Sequence, residues 1–167
     1  MRAVIALQAL GGLRLQEALR LTWQEVFGIP GHIEVTSAKS KTRQRRLVEI
    51  CPSLAEWLRP YRGLEGKVSE ATLDAHTWSF IQLRKALKIP SRKNGLRHGF
   101  VSFHFALHGN ENLTAAQAGS SPQQRPAFQC PFQRLRQCFV RVALRLGSPQ
   151  AVQQFGGVKF ASAQIAH

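Results

Sequence analysis

The stretch HIEVTSAKSKTRQRRLVEI, His32 to Ile50, decides what class of fold this chain can adopt. HIEVTS and RRLVEI each read as a short alternating segment of strand type. The basic stretch between them, AKSKTRQ, reads as a hairpin loop. WQEVFG, Trp23 to Gly28, reads as a further short strand, so a small three-stranded sheet is expected here. Helix-type sequence lies on both sides. Ala3 to Leu10 and Leu15 to Thr22 form two short helices, with Gly11 and Gly12 allowing the turn between them. Pro52-Ser53 starts a helix that runs to about Arg59, with Ser53 as N-cap and Glu56 three positions later in the capping-box pattern. Helices are expected around Trp78 to Leu87, from Gly95 through a run carrying Leu96, Phe100, Phe103 and Leu107, and near Leu113 to Ala118. The expected fold class is therefore α+β, mainly α-helical, with a small antiparallel β-sheet packed against helices.

The chain has 167 residues, enough for one domain with a real core, or for a domain plus a tail. Apolar residues make up 44%, and no window reaches the ~18 unbroken apolar residues of a membrane span. The opening MRAVIALQALGGLRLQEALRL has the charge and apolar run of a signal peptide, but amphipathic sequence follows Gly11, Gly12 and Arg14 instead of a small-residue cleavage site. It reads as a structural helix. Cys51, Cys130 and Cys138 are odd in number and widely spaced, which encodes neither a disulfide framework nor a zinc site and points to a reducing cytoplasm. No metal and no cofactor is called for: His104 and His108 stand at i and i+4 without a third ligand nearby.

Charge narrows the partner. Lys and Arg total 23 against 9 acids, a formal +14, with pI near 11.3. That balance suits a polyanion, and nucleic acid is the commonest. No membrane and no small-molecule substrate is implied. The acids all lie at or before Glu111, and from Asn112 onward there are six basic residues and no acid. Residues 123–167 are rich in Gln, Phe and Arg and are broken by Pro126, Pro131 and Pro149, with helical period only over Phe132 to Gly147. Two regions are expected: a domain over 1–122, and a basic, acid-free tail over 123–167 that is poorly ordered or divergent.

Three basic elements stand dozens of residues apart. In GLRLQEALRLTW, Arg14 follows a glycine turn and Glu17 lies one helical turn on, placed to hold the guanidinium. KSKTRQRR is a cationic hairpin tip. NGLRHGFVSFHFALHGN puts Arg97 and His98 at the start of an apolar helix, where a charged pair calls for an anion. Arg–Lys–Arg in this order, around a small sheet, resembles the catalytic domain of the tyrosine recombinase (phage integrase) family. The first stretch is similar to that family's first arginine box, the hairpin to its lysine-bearing hairpin, and the third stretch to its second box. AGSSPQ, Ala118 to Gln123, resembles the segment that follows.

The resemblance implies DNA breaking and rejoining through a covalent phosphotyrosine link, with double-stranded DNA and other recombinase subunits as partners. It makes Arg14 and Arg97 the pair that clamps the non-bridging oxygens of the scissile phosphate, and Lys41 the donor of a proton to the leaving oxygen. Lys39, Arg43, Arg45 and His98 would contact nucleic acid. The chain departs from the family pattern at three places. Asn94 stands where a histidine is usual, and Ser120 where a histidine or tryptophan is usual. The nucleophilic tyrosine would fall near Gln129, whereas Tyr61 is the only tyrosine. Cys130, close to that position, has no activator visible in the sequence. The expectation is a degenerate, truncated recombinase-like domain that binds DNA without cutting it. An active strand-transferase with a different nucleophile, or an unrelated basic RNA-binding protein, are the alternatives.

Overall fold

The computed structural model describes residues 1–40 and 45–120. The expected tail over 123–167, its helix at Phe132 to Gly147, and the hairpin-tip residues Lys41 and Arg43 lie outside the described residues. Among the described residues, seven α-helices and one β-hairpin follow in the order α1 (Arg2–Leu10), α2 (Leu15–Arg20), α3 (Trp23–Phe27), β1 (His32–Val35), β2 (Arg46–Glu49), α4 (Pro52–Leu58), α5 (Leu73–Ala86), α6 (Gly95–His108) and α7 (Glu111–Ala118). A 3-10 turn, Arg59–Tyr61, extends α4. The mainly helical α+β class expected from the sequence is what the chain adopts.

Among the described residues the sheet has two strands rather than three. β1 and β2 pair antiparallel in the register His32–Glu49, Ile33–Val48, Glu34–Leu47 and Val35–Arg46. WQEVF, expected as a strand, is helix α3. Thr22 and Glu25 close a capping box there. Thr22 Oγ accepts from the Glu25 N–H at 3.4 Å, and the Glu25 carboxylate accepts from the Thr22 N–H at 2.8 Å and its hydroxyl at 2.9 Å. Trp23 and Val26, one turn apart, then both enter the core. Alternation and helical spacing coincide over so short a run, and the cap decides between them.

Helix α4 starts differently from expectation. Cys51 is its N-cap and Pro52 its first residue, where a missing N–H costs nothing, so Ser53 does not cap it. Helix α5 begins several residues earlier than expected because the Thr72 hydroxyl accepts from the Ala75 N–H at 3.2 Å.

Val4 and Leu7 of α1 pack with Leu13, Leu21, Trp23 and Val26, with Ile33, Val35 and Val48 of the hairpin, and with Leu54 and Leu58 of α4. Phe100, Val101 and Ala118 form a second buried cluster between α6 and α7. Helix α7 is tied to the hairpin by the Gln117 side-chain oxygen, which accepts from the Glu49 N–H at 3.1 Å. No described helix is long and apolar enough to cross a membrane.

Candidate functional site

Gly11 and Gly12 turn the chain between α1 and α2, and Gly12 adopts φ +67°. Helix α6 docks on this turn through Arg97 and Phe100, which are both buried. The Phe100 ring lies so close that a Cβ on Gly12 would sit 2.3 Å from its Cδ1. One helical turn earlier, Arg97 Nη1 donates to the Gly12 carbonyl at 2.6 Å, and the Arg97 residue is only 8% exposed. His98, the next residue, is exposed. The (i, i+3) spacing of Arg97 and Phe100 thus puts one bond and one ring on the same glycine.

Arg14 stands two residues beyond Gly12, as the N-cap of α2. An arginine side chain has no acceptor and cannot cap the helix N–H groups. Glu17 supplies the link instead. Its Oε2 accepts from the Arg14 backbone N–H at 2.9 Å, and its Oε1 accepts from Arg14 Nη1 at 2.8 Å. Arg14 Nη2 donates to the Gly119 carbonyl at 2.6 Å, across the whole domain from α7.

Glu17 is not half of a surface pair, since its side chain is 2% exposed. Arg46 of β2 meets the same carboxylate with its forked end, Nη1 to Oε1 at 3.2 Å and Nη2 to Oε2 at 2.7 Å. Burial alone would push the Glu17 carboxyl up. The hydrogen bonds from Arg46 and from Arg14, together with the Arg46 charge, outweigh burial and hold it down at about 2. Glu17 therefore stays ionised across the physiological range. The cluster of Arg14, Arg46 and Glu17 keeps one net positive charge, and Arg97 adds a second on the adjoining turn.

The remaining candidates are placed differently. Lys39 Nζ donates to Glu25 at 2.6 Å, at the base of the hairpin loop. Burial raises the Glu25 carboxyl, and the bonds from Lys39 and Thr22 outweigh it, for a net lowering. Arg45 Nε donates to Glu34 at 2.6 Å on the exposed side of the hairpin. So Arg97 bonds the Gly12 turn that Arg14 follows by two residues, whereas Lys39 and Arg45 pair with Glu25 and Glu34. Tyr61 stacks on Trp23, ring centroids 5.0 Å apart and planes 11° apart. His104 and His108 have rings 4.3 Å apart, and His104 Nδ1 bonds the Thr114 hydroxyl at 2.8 Å. Among the described residues no group of three or more His, Cys, Asp or Glu is placed to hold a metal.

Arg46 is the member of this site that sequence reading passed over as one more loop cation. The signal was present. Strand residues alternate between faces, and Val48 of β2 is buried while Leu47 and Glu49 are exposed. Arg46, two before Val48, must point inward, and an inward arginine requires a buried acceptor.

No family model, curated protein or solved structure matches this chain.

Proposed function

We propose that this protein binds double-stranded DNA through an arginine site of the tyrosine-recombinase kind, and binds without cleaving. The observation that carries the reading is that Arg97, 85 residues further along the chain, bonds the carbonyl of Gly12, two residues before Arg14. A phosphate diester offers two non-bridging oxygens. A pair of guanidiniums held by backbone carbonyls and a buried carboxylate is suited to grip both, because the cost of orienting them is met on folding. The bonds that orient Arg14 occupy two of its five N–H donors. The +14 net charge adds the long-range attraction that brings a polyanion to such a site. Binding without strand cleavage is favoured by the chain's single tyrosine, whose ring is packed flat against Trp23.

Fluorescence anisotropy on labelled duplex DNA at a series of salt concentrations tests this. Affinity should fall steeply with salt, with a log–log slope of about −0.9 per phosphate neutralised. Arg97→Ala and Arg14→Ala should each weaken binding about tenfold or more. Arg45→Ala should shift the affinity by less, because Arg45 is engaged with Glu34. A salt-independent affinity, or Arg14 and Arg97 variants that bind like wild type while folded, would refute the reading. Tighter binding to single-stranded RNA than to duplex DNA would favour the RNA-binding alternative.

A further inference from the structure

We propose that Arg46 is the positioning residue for Arg14, acting through the carboxylate they share, so that Arg14 is presented only when β2, α2 and α7 are assembled together. The inference rests on the DNA-binding reading for its purpose, but its geometry stands apart from it.

Three observations carry it. First, a carboxylate has two oxygens, and Arg46 engages both with parallel N–H groups at 3.2 and 2.7 Å. A forked pair of this kind fixes the plane of the carboxylate as well as its place. With that plane fixed, Oε1 can accept Arg14 Nη1 in only one direction. Arg14 Nη2 is then aimed at the Gly119 carbonyl, which it reaches at 2.6 Å.

Second, Arg46 also shapes the far wall of this arrangement. Gly119 ends α7 in the left-handed conformation, φ +63°, with its own N–H and that of Ser120 turned back onto the helix. A Cβ on Gly119 would lie 2.6 Å from Arg46 Cζ. The Arg46 guanidinium therefore occupies the space beside the residue whose carbonyl receives Arg14. One side chain touches both of the groups that hold Arg14.

Third, Arg46 is itself enclosed. Its side chain is 10% exposed, and Nε is buried with no hydrogen-bond partner among the described residues. An arginine with both terminal nitrogens on one carboxylate is committed to that carboxylate. This one is turned to the interior by strand alternation, opposite Val35. Arg45, the residue before it, faces the other way and pairs with Glu34 on the exposed side of the hairpin.

The test uses the full chain and reads Arg14 directly. In wild type, the assigned Arg14 side-chain N–H signals should be resolved from one another in a nitrogen-15 NMR spectrum, because rotation of a doubly anchored guanidinium is slow. In Arg46→Met, with the backbone amide spectrum still that of the folded protein, those signals should collapse toward the average of a freely rotating guanidinium. Arg46→Lys keeps the charge and is the variant to use where methionine prevents folding. One ammonium cannot span two carboxylate oxygens in fork geometry, so the same loosening is expected. Arg45→Met should leave Arg14 unchanged. A folded Arg46→Met or Arg46→Lys protein whose Arg14 signals match wild type would overturn the proposal.

Duplex binding supplies the second arm. Arg46→Met should weaken affinity about tenfold in the wild-type background and by less than about twofold in an Arg14→Ala background, as expected of two residues that act as one. An equal loss in both backgrounds, with the salt slope reduced by about 0.9, would mean that Arg46 contacts phosphate itself, and would overturn positioning. If Arg14→Ala leaves DNA binding intact while Arg46→Met still releases the Arg14 signals, the positioning role stands and the DNA-binding reading fails.

Discussion

A methyl group on Gly12 would meet Phe100 at 2.3 Å, on a backbone already at φ +67°. Both constraints exclude a side chain, and each acts on the same docking. The left-handed backbone disfavours any L residue by roughly 1–2 kcal/mol, and displacing a packed ring costs about 1–3 kcal/mol more. Gly12→Ala should therefore lower unfolding free energy by about 2–5 kcal/mol in a urea titration followed by circular dichroism. It should also weaken DNA binding more than its stability loss explains, because Phe100 and Arg97 sit on one face of α6 and move together. An Ala variant that melts with wild type would show that the turn and α6 are not coupled. Gly63, also at positive φ but with nothing within 4 Å of a Cβ, is the control that isolates the backbone contribution.

Helix α3 has five residues, too few to persist alone, and the Thr22–Glu25 box with the Trp23 and Val26 burial holds it. The box has a second task, since the Glu25 carboxylate also receives Lys39 from the hairpin loop. A cap that is also a tether should be more sensitive than an isolated one. Thr22→Ala removes the hydroxyl and should cost about 1 kcal/mol, with up to ~2 kcal/mol as the bound for a protein cap. Glu25→Gln keeps size and some capping but loses the ion pair. It should raise hydrogen-exchange rates at Lys39 and Ser40, whose N–H groups both bond the Thr36 carbonyl. Unchanged exchange there would mean that the loop base is held by its own turn rather than by Glu25.

At the scale of the whole molecule, Glu17 is where α2, β2 and, through Arg14, α7 are joined. Its carboxyl lies at about 2 in the fold against an ordinary value of 4.5. The folded state thus holds the proton more weakly than the unfolded chain does. The contribution is fully present above about pH 4.5 and is lost as pH falls toward 2, amounting to roughly 3 kcal/mol at one pKa unit per 1.36 kcal/mol. Thermal melts between pH 7 and pH 2.5 should show this fall in wild type and a flatter profile in Glu17→Gln. Glu25, shifted in the same direction, leaves part of the slope in the variant. Glu17→Gln should also be less stable at pH 7, because two guanidiniums lose a buried partner, a loss of about 3–5 kcal/mol. Equal acid profiles for the two proteins would remove Glu17 as the junction.

Features that depend on near neighbours were legible in the residues alone. The apolar spacing of α1 and α6 marked those helices, and Gly11-Gly12 marked the turn between α1 and α2. The alternation of HIEV and RLVE marked the hairpin, and Arg14 with Glu17 was legible because one helical turn separates them. The Thr22–Glu25 box was local too, and the short apolar alternation of WQEVF masked it. Tertiary structure alone decided which remote groups met. Glu17 and Arg46 are 29 residues apart, Gly12 and Arg97 are 85, and Arg14 and Gly119 are 105. It also assigned Lys39 to Glu25 and Arg45 to Glu34, which set these cations apart from Arg14 and Arg97. Periodicity fixes which face of an element turns inward. Which acceptor waits there is settled by how the elements pack, since a buried guanidinium binds whatever carboxylate or carbonyl the assembled core brings within about 3 Å.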